Sequence, residues 1–236
     1  MRKNIPNIIT LLNLASGSVA VYLVLQGESE LALYFFLAAI IFDFADGFTA
    51  RLLHVISPLG KQLDSLADMV SFGLLPATMI FTLLESAFSP GGNGDVLLFR
   101  EKAMMFSVVI VPVLAALRLA RFNLLEESDY FTGLPTPAFA LFWTGIYYDY
   151  HVHGGIFGHP ASGWFIWAVM IVISLLMVIP LPMISLKFKN FRFLPNFIRY
   201  LFLLISAIIL LLTGIPGLPL VVLTYILLSL VRILLT

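Results

Sequence analysis

The sequence predicts an all-α membrane protein, a polytopic bundle of about eight transmembrane helices, and three observations predict it. Hydrophobic residues make up 61% of the 236 positions and charged residues only 11%, against roughly a quarter charged in ordinary globular chains. Mean hydropathy is +1.04. Apolar runs recur at the length of about 20 residues that a helix needs to cross a hydrocarbon core of about 30 Å. The 13 basic and 13 acidic residues cancel, leaving no net field to recruit nucleic acid. With no cysteine, disulfides, thiolate nucleophiles and cysteine metal sites are excluded, so any metal must be held by carboxylate or histidine.

Seven runs, at about 7–26, 32–54, 62–84, 102–122, 164–185, 197–213 and 217–235, read directly as spans. The first is not followed by a small-residue cleavage site, so it reads as a retained helix. An eighth segment, about 135–150, is shorter, opens among prolines and ends among Tyr and Asp. Charge asymmetry supports it, because Lys and Arg are retained on the cytoplasmic side. With eight spans and both termini inside, Arg2, Lys3, Arg51, Lys61, Arg118, Arg121, Lys187, Lys189, Arg192, Arg199 and Arg232 fall on the cytoplasmic side, and only Arg100 and Lys102 fall outside. Without the eighth span the basic run 187–199 would lie outside. That run reads as an anchor that attracts anionic headgroups. No internal repeat or long polar segment divides the chain, so it reads as one membrane domain, 1–236.

Most charges lie in connections, but Asp43 and Asp46 fall late in the second span and Asp64 and Asp68 early in the third. An Asp deep in a membrane helix costs about 2.5–3.5 kcal/mol on insertion scales, so four of them require compensation. At about 100° per residue, Asp43, Asp46, Gly47, Ala50 and Arg51 share one sector of their helix, and Gly60, Asp64 and Asp68 share one face of the next. The connection between them is short, with Ser57 and Pro58 suited to N-cap and first turn, so the two acidic stripes can meet at the cytoplasmic end. Four carboxylates against one Arg make a poor neutral network; two hard divalent cations, Mg²⁺ or Mn²⁺, would balance them. A pair of such ions is suited to in-line displacement at phosphorus. Gly47 and Gly60, costly in helix interiors, would let a substrate approach the backbone.

The pattern Asp43-x-x-Asp46-Gly47-x-x-Ala50-Arg51-x8-Gly60-x3-Asp64-x3-Asp68 resembles the complete signature of the CDP-alcohol phosphotransferase family. LDSLADMVSFGLLPA at 63–77, ALRLARFN at 116–123, GLPTPA at 133–138 and the N-terminal IPNIITLLNLASG are similar to its phosphatidylserine synthase branch. These stretches lie within about residues 4–138; on this reading the family core covers about 4–185, followed by two additional helices at 197–235. The resemblance implies an enzyme of phospholipid biosynthesis in the cell (inner) membrane, with a cytoplasmic active site, that transfers the phosphatidyl group of CDP-diacylglycerol to the hydroxyl of L-serine and releases CMP. It implies two divalent ions held by Asp43, Asp46, Asp64 and Asp68, with Asp68 also the general base. It implies that Gly47, Ala50, Arg51 and Gly60 line the cytidine diphosphate pocket, to which Asn7 and Thr10 add contacts, and that the enzyme is a homodimer.

Arg118 and Arg121 are candidates for the serine carboxylate or a lipid phosphate, since guanidinium forks match both; as ordinary positive-inside flanking they would carry no ligand. His151, His153 and His159 read as an interfacial loop after the fifth span, His54 as structural, and the GGNG at 91–94 as an external turn. Two other functions fit parts of the pattern. One is a sister phosphotransferase with another acceptor or an ether-lipid donor. The other is a cation transporter using the acids as an ion site, against which stand their clustering at one end and the absence of an inverted repeat.

Overall fold

The structure, a computed structural model, describes residues 4–55, 57–89, 98–124, 131–154, 162–184 and 194–235. Arg2, Lys3, Lys187, Lys189, Arg192, His159 and the 91–94 turn lie outside the described residues. Nearly all the rest is helix. We number the helices α1 (Ile5–Leu25), α2 (Ser29–Leu52), α3 (Pro58–Phe88), α4 (Phe99–Leu124), α5 (Thr136–His153), α6 (Ser162–Val178), α7 (Phe197–Thr213) and α8 (Leu218–Leu235).

α1 to α4, and α8 with its leading 3₁₀ turn, are long and apolar enough to cross a bilayer. This is a membrane protein. Outward faces carry Tyr34, Ile41, Phe44 and Phe48 on α2, and Leu211 and Leu212 on the shorter α7, as expected where hydrocarbon replaces water. α6 and α7 are shorter apolar helices. α6 stops at Val178, earlier than the run to 185 suggests, because Pro180 and Pro182 lack the N–H that a further turn requires.

α5 is the central helix. Phe139, Ala140, Phe142, Trp143, Gly145, Ile146 and Tyr147 are buried around its circumference, and it packs against α2, α3, α6 and α8. Its hydropathy signal is weak because close packing selects small and hydrogen-bonding residues: the Cβ of an alanine at Gly145 would overlap the ring of Pro219. α5 continues through His151 and His153 before Gly154, at φ +74°, ends it, so those two histidines occupy a last helical turn and not a loop. The apolar core, which includes Phe36, Phe72, Leu75, Ile80, Phe139, Trp143 and Met170, joins residues of all eight helices in one cluster.

The sequence reading did not anticipate β1 (Phe131–Thr132) and β2 (Pro182–Met183), which pair antiparallel. The Gly133 N–H donates to Leu181 O and the Leu134 N–H to Leu176 O, fixing the start of α5 against the end of α6.

Candidate active site

Three helices build the acidic site. α2 ends at Leu52, where His54 takes a left-handed conformation (φ 54°) that lets the Val55 N–H close back on Ala50 O. This structural role is the one its position suggested. Ser57 then caps α3, its Oγ accepting from the Gly60 N–H at 2.9 Å, and Pro58 supplies the first turn. α1 packs along both helices and brings Asn7, Thr10 and Asn13 to the shared side.

The carboxylates of Asp43, Asp64 and Asp68 each offer an oxygen, and the three oxygens lie within 4.8 Å of one another. Asp46 is not a member of this compact group, but it is 5% exposed, and the Thr10 hydroxyl and Gly47 N–H approach its carboxylate. Directly after Asp68 the helix widens into a π turn, Met69–Leu74, of a kind frequent at functional sites. Ser71 in that turn donates to Asn13 Oδ1 on α1 at 2.7 Å, and the Cβ of an alanine at Gly17 would overlap the Ser71 hydroxyl. The widened turn is therefore held closely against α1.

A hard divalent cation fits this donor set. All the donors are carboxylate oxygens, and Asp46 Oδ2 and Asp68 Oδ1 are buried with no hydrogen-bond partner among the described residues, a costly state for an acceptor unless something binds it. At Gly47 the surroundings leave room for a ligand. The position of a Cβ at Gly47 is approached no closer than 3.8 Å, by Arg51. A Cβ at Gly60 would sit 3.0 Å from both Asn7 Oδ1 and Ser57 Oγ. Gly60 and Asn7 are thus neighbours across α1 and α3, Ala50 is half-buried, and Arg51 is exposed at the end of α2.

Arg118 lies close enough to Asp68 for the charges to interact. Its Nη1 donates to Thr136 Oγ1 at 2.8 Å, its guanidinium lies 5.9 Å from the Phe122 ring centroid, and its buried Nε has no hydrogen-bond partner among the described residues. Arg121, more exposed, donates to Val178 O at 3.4 Å. The two arginines line a cavity of about 310 Å³ with Thr132, Met177, Val178 and Pro180. Sequence reasoning missed Thr136 and Thr132, although both flank or lie within the GLPTPA stretch. It also missed Asn123, whose carbonyl accepts from Lys61 Nζ at 2.7 Å and whose side chain donates to Ser65 at 2.6 Å, tying α4 to α3.

The acids, the helix order and the signature spacing meet in one place, and residues 3–184 match the family model for CDP-alcohol phosphatidyltransferase. The chain belongs to that family. It is similar to a CDP-diacylglycerol–serine O-phosphatidyltransferase of Mycobacterium tuberculosis, 30% identical over 76% of this chain and 60% of that protein. A protein of the same name from Methanocaldococcus jannaschii is 36% identical over 60% of this chain and 59% of its own length. An archaetidylserine synthase of Methanothermobacter thermautotrophicus is 30% identical over 74% of this chain and 66% of that protein. The chain thus spans about three fifths of the length of the first of these relatives.

Proposed function

We propose that the protein is a phosphatidylserine synthase, transferring the phosphatidyl group of CDP-diacylglycerol to L-serine with release of CMP. The observation that carries this reading is the convergence of Asp43, Asp64 and Asp68 within 4.8 Å beside the buried Asp46, in a family member whose relatives bear the name CDP-diacylglycerol–serine O-phosphatidyltransferase. On this reading the whole chain, 1–236, is one domain with a family core at about 4–185 and two added helices. On the same reading eight spans would put both termini and the acidic site on the cytoplasmic side of the cell membrane, with the enzyme working as a homodimer.

Asp43, Asp46, Asp64 and Asp68 would hold two divalent ions, which supply charge neutralisation of the diphosphate and of the departing CMP. Gly47, Ala50, Arg51 and Gly60, with Asn7 and Thr10 from α1, line the cytidine diphosphate pocket; the open space at Gly47 lets it approach the backbone closely. The acyl chains remain in lipid. Serine enters from the cytoplasm, and its carboxylate is held in the cavity of Arg118 and Arg121. Arg118 suits this role because Thr136 fixes one side of its fork and leaves Nε to be satisfied. Asp68, nearest in charge to Arg118, accepts the serine hydroxyl proton. The serine oxygen then attacks the lipid-side phosphorus in line, a new P–O bond forms, and the bond to the CMP oxygen breaks.

The archaetidylserine synthase relative favours a second donor reading, an ether-linked CDP lipid, with the same acceptor and site. The test is CMP release by purified protein with ester-linked and ether-linked CDP lipids, each with L-serine, glycerol 3-phosphate or inositol phosphate. Release that requires serine supports the assignment, and release with a phosphorylated acceptor instead would replace it.

A further inference from the structure

The family match ends at residue 184, and at that residue the chain is held by a helix outside the match. The Tyr225 hydroxyl of α8 donates to Ile184 O at 3.0 Å. One turn later, Ser229 Oγ accepts from the Ile184 N–H at 3.2 Å and donates to Tyr225 O at 2.8 Å. Both side chains are buried, Ser229 to 1% exposure and Tyr225 to 6%. They satisfy both polar groups of one residue's backbone in a low-dielectric setting, where a lost partner is costly.

Ile184 directly follows β2, which pairs with β1. β1 carries Thr132, the end of α6 carries Met177 and Val178, and the link from α6 to β2 carries Pro180, all of which line the cavity with Arg118 and Arg121. The Tyr225 hydroxyl also lies within electrostatic reach of the Arg118 guanidinium. From the far side, α8 packs on α5 through Leu218 and Pro219, which meet Gly145 closely, so it is anchored to the helix whose first residue, Thr136, holds Arg118. α8 therefore grips the cavity at both of its supports.

We propose that α8 is part of the acceptor site: Tyr225 and Ser229 are positioning residues that clamp Ile184 and so hold the β1–β2 wall against Arg118 and Arg121. This rests on the reading of that cavity as the acceptor's. Among the described residues the clamp's hydrogen bonds reach neither the acids nor the glycines of the donor pocket, so its loss should act on the acceptor.

The test uses full-length protein with Tyr225→Phe and Ser229→Ala, neither of which adds bulk. Hydrogen exchange is followed in peptides covering 131–134 and 176–184, and CMP release is titrated separately in acceptor and in CDP-diacylglycerol. We expect exchange in those peptides to accelerate at least about threefold. The KM for serine should rise about fivefold, the effect of one lost buried hydrogen bond, while the KM for the donor stays within about twofold. Unchanged exchange would overturn the clamp. Faster exchange with both KM values unmoved, or moved together, would overturn its role at the acceptor site. If wild-type protein releases CMP only with another acceptor, the serine assignment fails, and the same KM comparison with that acceptor decides the clamp. Wild-type protein that turns over with no acceptor overturns both.

Discussion

Replacing Asp43 by Asn separates a metal site from a structural polar network without using activity. Asp43, Asp64 and Asp68 hold oxygens within 4.8 Å of one another, and two unit charges at that distance repel by about 3.5 kcal/mol at an effective dielectric of about 20. Water at the site screens part of this, so removing one charge should relieve about 1–3 kcal/mol in protein stripped of divalent ions. For a chain of this size, that corresponds to a rise in melting temperature of about 2–4 °C per kcal/mol. With Mn²⁺ present the order should reverse. Wild-type protein gains stability in proportion to RT ln(1 + [L]/Kd), about 2.7 kcal/mol at a hundredfold excess over Kd, whereas Asp43→Asn, lacking one of the closest donors, gains little. The assay is thermal unfolding in detergent, with EDTA and with a Mn²⁺ titration. A variant less stable than wild type in EDTA, and stabilised equally by Mn²⁺, would refute the reasoning and favour a hydrogen-bonded network.

Other substitutions test the remaining parts of the site. Gly60→Ala places a Cβ 3.0 Å from Asn7 Oδ1 and Ser57 Oγ; the gain of about 1 kcal/mol in helix propensity and the loss of about 1 kcal/mol in capping should nearly cancel. The KM for the CDP lipid should nevertheless rise about tenfold or more, and an unchanged KM would remove Gly60 from the donor pocket. Arg118→Lys keeps the charge but loses the fork that engages Thr136, so the KM for serine should rise about tenfold with the donor KM unchanged, as read in the same titration. Phe72 is fully buried, with its ring edge-on to Phe36 at 6.4 Å; Phe72→Ala should cost about 3–5 kcal/mol and lower the melting temperature whether or not metal is present.

The acidic site was legible because its chemistry is local. Four carboxylates in two apolar helices conflict with their surroundings, and the three- and four-residue spacings that place them on common faces are properties of a single helix. Ser57 and Pro58 were legible as a helix start for the same reason. The structure adds what spacing cannot contain. Asp46 stands outside the closest trio and lies near Thr10 on α1, and α1's contribution depends on packing. α5 gave a weak hydropathy signal because it is enclosed by other helices, not by lipid. The β1–β2 pair joins residues about fifty apart in the chain, and two residues per strand leave no alternation to detect. The π turn after Asp68 likewise has no sequence pattern of its own, and the contacts of Ser71 with Gly17 and Asn13 show how it is held.

The most direct test of the central claim is CMP release from CDP-diacylglycerol by the purified protein, with and without L-serine, with Mn²⁺ or with EDTA, beside Asp68→Asn. The account predicts release that needs both serine and a divalent ion and that falls at least about a hundredfold in Asp68→Asn. Serine-dependent release that persists in EDTA, or survives the loss of the Asp68 carboxylate, would contradict it.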